Sequence, residues 1–393
     1  MNIHTKAVHA GDRKKQGAHI PVTTPIYTAS SFVYEDIETT DKVFAHEVEG
    51  YAYARYDNPT NHALEELCTT LESGHGSLAC ATGMAALEMA LCTALIDRRK
   101  KVVAANALYG ATINLLMKVM EPFGIETTFV DICDLDKVAA AIEEEKPGAV
   151  LMETISNPLL RVGPLDQIAK LTQASGAALI VDNTFATPML VRPLELGANL
   201  VVHSLTKYLA GHGDVMGGLI VSDEAHYDAL RTLSRTYGPT LGPFEAYLAM
   251  RGIKTFPLRM ERQCRNAVTV AAFLRQHPNV AKVNFLNDPE HPDRATLLRL
   301  LPDGLHGAMI SFELKDAGRP EVFAFMNKLK MVVKATSLGD VHTMMLYPAM
   351  ASHRDLSPKQ RERLGIRDSL VRLSVGIEDP ADICADLGQA LGN

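Results

Sequence analysis

Short apolar-rich runs alternate with stretches of helical spacing through the middle of this 393-residue chain, and that alternation limits the fold more than any other feature. Runs at 102–105, 127–130, 149–152, 177–181 and 199–202 read as strands. Helical spacing separates them near 111–121 and 135–145, and again from Asp166, expected as an N-cap, to a stop at Gly176. Strands that are apolar on both faces and separated by helices pair in parallel, in a sheet covered on both sides. Side chains that do chemistry are then expected just past the carboxyl ends of those strands.

The flanks differ from this middle. About the first 50 residues are polar and turn-rich, broken by Gly11, Pro21 and Pro25, so residues 1–55 read as an arm that packs on something else. Residues 56–254 form the α/β body, opened by a helix that carries Ala63, Leu64, Leu67 and Leu71 and stops near Gly74. Beyond residue 255 the runs at 308–312 and 370–375 alternate as half-exposed strands do, beside helices near 320–329 and 380–391. Residues 255–393 therefore read as a smaller α+β domain.

Charge and cysteine usage exclude several classes. The 39 Lys+Arg against 46 Asp+Glu give a net charge of −7 with no basic stripe, which argues against nucleic acid as a partner. No run approaches the ~18 apolar residues of a membrane span, and residues 1–6 carry neither a signal-type apolar region nor an Arg-rich transit pattern, so the expected location is cytoplasmic. Six scattered cysteines without C-x-x-C spacing read as free thiols in a reducing compartment. No H-E-x-x-H pattern suggests a metal, and His212 and His353 read as structural. There is no G-x-S-x-G elbow and no P-loop. The run 211–217 superficially matches a dinucleotide fingerprint, but its third glycine falls one residue late.

The window that carries chemistry is 201–214. Lys207 follows an apolar strand, with Ser204 and Thr206 just before it and a glycine-rich turn after it. The preceding strand runs into Asp182, Asn183 and Thr184. A lysine and an aspartate closing two consecutive buried strands is the geometry that pyridoxal 5′-phosphate (PLP) needs: the amine forms a Schiff base with the aldehyde, and the carboxylate keeps the pyridinium nitrogen protonated. Ser204, Thr206 and the amides at 82–84, where a glycine turn opens a helix, suit the phosphate. Arg372 stands inside an alternating apolar strand, where an unpartnered guanidinium is costly and a bound carboxylate explains it best.

Together with 53–60, 108–110, Asn157-Pro158, 337–340 and 372–376, these motifs resemble the Cys/Met-metabolism PLP enzymes in collinear order along nearly the whole chain. That family includes cystathionine γ-lyase, cystathionine γ-synthase, methionine γ-lyase and the homoserine-ester sulfhydrylases. The resemblance implies a fold type I, aspartate aminotransferase-like architecture, with a mostly parallel sheet and a smaller C-terminal α+β domain. It implies that Lys207 carries PLP and removes the substrate α-proton, that Asp182 pairs with the pyridinium, and that Tyr109 stacks on the ring and assists the leaving group. Gly83, Met84, Ser204 and Thr206 match the phosphate cradle, and Asn157 a residue near the cofactor hydroxyl. Tyr53 and Arg55 match a pair that reaches the phosphate from a neighbouring subunit, within a homotetramer built as a dimer of dimers. Arg372, with Ser337 beside it, matches the grip on the substrate α-carboxylate.

Cystathionine-handling members often carry glutamates where this chain has Thr336 and, in γ-lyases, Ala52. The 211–214 run looks most like methionine γ-lyase, although Ala111 and His342 depart from that pattern. The expected function is a C–S lyase that performs α,γ-elimination on a small sulfur amino acid, giving α-ketobutyrate, ammonia and a thiol. The alternatives are a γ-replacement transferase acting on a homoserine ester and, more remotely, a non-catalytic PLP-fold binding protein.

Overall fold

A computed structural model describes residues 1–15, 18–45, 47–354 and 358–392. Seven strands form the central sheet: β1 (Gly76–Cys80), β2 (Lys101–Ala105), β3 (Glu126–Val130), β4 (Ala149–Glu153), β5 (Ala178–Asp182), β6 (Leu200–Ser204) and β7 (Gly218–Ser222). Their order is β1-β7-β6-β5-β4-β2-β3, and β7 alone runs against the others. Residues 149–152 and 178–181 are wholly buried, as strands covered on both faces must be. The carboxyl ends of β4, β5 and β6 lie side by side, with Glu153 in register with Asp182, and Asp182 with Val202.

Local departures from the sequence pattern have local causes. The helix expected near 111–121 is an α-turn, Gly110–Asn114, that widens into a π-helix, Leu115–Met120, and ends in a 3-10 turn where Pro122 offers no amide to continue the ladder. Asp166 does not cap its helix. Leu165–Ser175 has Pro164 at the N-cap, and Asp166 in the first turn instead accepts two hydrogen bonds from Arg299 at 2.9 and 3.0 Å. Gly176 does end that helix, at φ +76°.

The second sheet comprises β8 (Val280–Asn284), β9 (Met309–Leu314), β10 (Val333–Lys334), β11 (Met344–Leu346) and β12 (Leu370–Ser374), in the order β10-β11-β12-β9-β8. β9 and β12 alternate as read from the sequence, yet both are buried along their whole length rather than half-exposed. Ile310, Phe312, Val371 and Leu373 pack with Val270, Val322 and Ile383, which come from the helices Phe256–Gln276, Arg319–Lys328 and Pro380–Leu391. The polar alternates point into the protein: Arg372 bonds to Asn157, and Ser374 accepts a hydrogen bond from the Gly339 amide. At Arg372 the polar alternation marks a side chain turned toward a cavity, not toward water.

The first residues split into two parts. Helix Ile3–His9 lies on the body, with Ala7 fully buried and Lys6 Nζ donating to the Thr70 carbonyl at 3.2 Å. Further along, Ile20, Val22, Val33, Ile37 and Phe44 are exposed. No helix among the described residues is long and apolar enough to cross a membrane.

Candidate active site

The strand ends of the first sheet and Arg372 of the second enclose a cavity of about 480 Å³ lined by Gly83, Met84, Tyr109, Glu153, Asn157, Asp182, Ser204, Thr206, Lys207 and Arg372, among others. Ten residues singled out from the sequence thus meet here, counting Ser337, which reaches Lys207 by a hydrogen bond; Glu153 was not among them.

Lys207 sits three residues past β6, and its Nζ donates to Ser337 Oγ at 3.0 Å. Burial, with the nearby Arg372 charge, pulls its amine down to about 8, so a neutral nucleophile is accessible near neutral pH. The glycines after it are there for close approach. Gly211 (φ +71°) would bring a Cβ within 2.0 Å of Arg259 Nη1, and Gly213 (φ +69°) within 2.7 Å of Asp340 Oδ2. Arg259 itself is buried and donates to the carbonyls of Tyr208, Leu209 and Gly252 at 2.8, 3.0 and 2.9 Å, which pins the turn that follows the lysine.

Asp182 closes β5, where its Oδ1 accepts the Thr184 amide at 3.0 Å. Burial pushes its carboxyl above the usual range, while Thr184 and the His203 charge hold it down. His203 Nε2 lies 2.5 Å from Glu72 Oε1, which also accepts from Asn183 Nδ2 at 2.9 Å. Sequence spacing gives no sign of this buried pair, because its members lie 131 residues apart.

Arg372 is buried to 2% exposure. Its Nη1 donates to Asn157 Oδ1 at 2.9 Å and its Nη2 to the Ser337 carbonyl at 3.2 Å, while its Nε has no partner among the described residues. Burial lowers it to about 10, against the pull of Tyr208, Tyr109 and Glu153. A buried guanidinium held by two neutral oxygens and lacking a hydrogen-bonded carboxylate is a site prepared for an anion.

At the other end of the cavity, Thr82 caps helix Gly83–Leu95 by accepting the Ala85 amide at 3.0 Å, leaving the amides of Gly83 and Met84 without intrahelical acceptors. A Cβ on Gly83 would stand 3.2 Å from Ser204 Oγ, within the space a phosphate needs. Thr206 Oγ1 accepts the Gly217 amide at 3.1 Å. Helix amides, two hydroxyls, a lysine of lowered basicity and a carboxylate opposite it fit PLP.

The sequence motifs and this geometry lead to one family. Residues 4–392 match the family described as Cys/Met metabolism PLP-dependent enzyme. The chain is a member of that family. It is 42% identical to L-methionine gamma-lyase of Fusobacterium nucleatum subsp. polymorphum over 99% of this chain and 98% of that protein. It is 38% identical to O-succinylhomoserine sulfhydrylase of Pseudomonas aeruginosa over 98% of this chain and 94% of that protein. Among solved structures it resembles cystathionine gamma-lyase from Lactobacillus plantarum complexed with L-serine, with a TM-score of 0.91, 36% identity and coverage of 99% and 98% of the two chains. Like its family, this chain is a PLP-dependent enzyme of sulfur amino acid metabolism. Lyases and a sulfhydrylase lie at nearly equal identity, so overall similarity leaves the reaction to be argued from the site.

Two sequence-derived candidates do not reach the cavity within one subunit. Tyr53 is exposed, and Arg55 donates to the Arg235 carbonyl and stacks over Tyr53 and Tyr56 at 5.5 and 4.8 Å. Both His342 and Ala111 stay off the cavity lining: His342 pairs with Asp340 at 2.8 Å, with most of its ring in solvent. Asp57, His62 and Glu65 cluster within 4.8 Å, but Arg231 pairs with both carboxylates at 3.3 and 3.1 Å, which already balances their charge.

Proposed function

We propose that this PLP-dependent enzyme is a C–S lyase that performs α,γ-elimination on short, uncharged thioether or thiol amino acids such as methionine and homocysteine, consuming water and giving α-ketobutyrate, ammonia and a thiol, or hydrogen sulfide where the substrate is itself a thiol. One observation carries the reading. Ser337 joins the two cations of the cavity, accepting from Lys207 through its hydroxyl and from Arg372 through its carbonyl. An α-amino acid whose carboxylate lies on Arg372 therefore presents its Cα beside the Lys207 amine.

PLP, when bound, supplies the electron sink that stabilises charge at Cα and Cβ. Lys207 takes the α-proton and returns it further along the chain. Asp182 would hold the ring nitrogen's proton, while the Gly83 and Met84 amides, Ser204 and Thr206 would hold the phosphate. Tyr109, 42% exposed at the cavity mouth, gives a proton to the departing sulfur. The substrate end of the cavity is lined by Ile155, Leu338, Leu346 and Ala351, with Thr336 where a distal ammonium would need a carboxylate. This supports thioethers over cystathionine.

The side chain of O-acetylhomoserine is equally uncharged, so γ-replacement on a homoserine ester is the second reading. α-Ketobutyrate release by the PLP-loaded enzyme from L-methionine, L-homocysteine, L-cystathionine and O-acetylhomoserine, with Lys207→Ala as the blank, separates the two. Ketoacid from the thioethers supports the lyase. Consumption of O-acetylhomoserine that yields a new amino acid when sulfide is added, without ketoacid from the thioethers, makes the enzyme a transferase.

In this reading the part of residues 1–55 beyond helix Ile3–His9, which packs on its own subunit, forms an inter-subunit arm ahead of the catalytic body (56–254) and the α+β domain (255–393). Tyr53 and Arg55 reach the phosphate of a neighbouring subunit in a homotetramer, which the exposed apolar residues of the arm support. Six free cysteines support a cytoplasmic setting.

A further inference from the structure

Glu153 is buried at the carboxyl end of β4, in register with Asp182, and both of its oxygens are taken by backbone amides. Oε1 accepts from Tyr109 at 2.6 Å and Oε2 from Asn157 at 3.1 Å. These amides belong to two different loops, one after β2 and one after β4. Each loop carries a side chain of the site: the Tyr109 ring at the mouth, and the Asn157 amide oxygen that accepts from Arg372 at 2.9 Å. We infer that Glu153 is a positioning residue, a single carboxylate that fixes the leaving-group tyrosine and the carboxylate grip relative to each other.

The placement is costly, and that argues for a role beyond tying loops together. Burial and the neighbouring Asp182 push the Glu153 carboxyl up to about 8, whereas a neutral acceptor would join one loop to β4 without setting two carboxyl groups side by side. The carboxyl presents one acceptor oxygen to each amide, and it keeps that capacity whether or not it carries the proton that burial favours. A glutamine places its NH₂ against one of the two donors, and an aspartate, one methylene shorter, does not span them. Small displacements of groups that act on the leaving atom cost rate steeply, so the loss should appear at Tyr109 first.

The inference rests on the proposed role of Tyr109, and its test is built on the holoenzyme with Glu153→Gln and Glu153→Asp, alone and combined with Tyr109→Phe. Glu153→Gln is expected to lower kcat roughly 10- to 100-fold and raise KM several-fold, as one buried amide loses its acceptor. In the Tyr109→Phe background the same change should lower kcat less than about threefold, because its effect runs through that ring. Bound PLP should remain stoichiometric, with a reduced visible circular-dichroism band as the stacking ring loosens. Wild-type kcat in Glu153→Gln, a kcat loss that multiplies in full with Tyr109→Phe, or failure of both single variants to fold overturns the inference. Absence of any γ-elimination or γ-replacement in the wild type would defeat the functional reading instead, and the dichroism comparison would still report on Glu153.

Discussion

The two walls of the cavity are built on opposite principles. On the wall from the large sheet, Glu153, Asp182 and Ser204 are the last residues of β4, β5 and β6, and the two carboxylates accept backbone amides supplied by the fold itself. On the wall from the small sheet, Arg372 stands in mid-strand, buried, with no partner for its Nε and no hydrogen-bonded carboxylate among the described residues. The carboxylates of the first wall are met by amides within the fold, whereas the guanidinium of the second is met there only by neutral oxygens. The carboxylates of the cofactor half are therefore satisfied during folding, while the substrate half keeps a buried positive charge, so substitutions on the two walls should fail in different ways.

The sharpest way to break this contrast is at Lys207. Lys207→Ala should lower turnover by ~10³-fold or more, since no other amine lines the cavity among the described residues. Borohydride reduction should leave a phosphopyridoxyl adduct on residue 207 of the wild type and none in the variant. An adduct elsewhere, or retained turnover, would remove the lysine from the chemistry. Next in size is Arg372→Leu on the opposite wall. It should cost about 100-fold in kcat/KM, mostly through KM, as a charged two-point contact of roughly 2–3 kcal/mol is lost. PLP affinity should be unchanged and the melting temperature held or raised, because a buried charge without an ionic partner is replaced by an apolar side chain. Loss of bound PLP in that variant would show that the walls are not separable.

The walls also differ in how far they could be read from sequence. Lys207, Asp182, Ser204 and Thr206 were legible because each closes or shortly follows a buried apolar strand, and a parallel sheet gathers its strand ends on one edge. Arg372 was legible for the opposite reason: it interrupts an apolar alternation that has no use for a charge. The alternation of β9 and β12 suggested water on one face, yet Ser311 and Glu313 bond to Asn284 and Arg367 and Arg372 lines the cavity; periodicity reports polarity, not what supplies it. Glu153 escaped notice because a carboxylate at a strand end resembles a turn or cap, and its partners Tyr109 and Asn157 are loop amides that any residue type offers. Glu72 and His203 escaped because they meet only through tertiary packing. Tyr53 and Arg55 stood out only as part of a family motif, and one subunit leaves them outside the cavity.

The smallest effect concerns stability rather than turnover, and it tests whether the first wall really stores the cost of its lysine. Burial lowers the Lys207 amine from 10.5 in the unfolded chain to about 8 in the folded one. Below pH 8 both states hold the proton, and the folded state bears the full penalty of a charge in a desolvated place. Between pH 8 and 10.5 the folded state has released a proton that the unfolded chain still binds, so stability rises with pH; above 10.5 the penalty is gone. In the PLP-free protein, Lys207→Met should therefore stabilise the fold by at most about 3 kcal/mol at pH 7, at ~1.4 kcal/mol per unit, and by nothing measurable above pH 10.5. Urea denaturation of the two proteins at pH 7 and near pH 10.5 checks it. An advantage that persists unchanged at the higher pH would trace the gain to better packing of methionine, and the large-sheet wall would then hold its lysine without electrostatic cost.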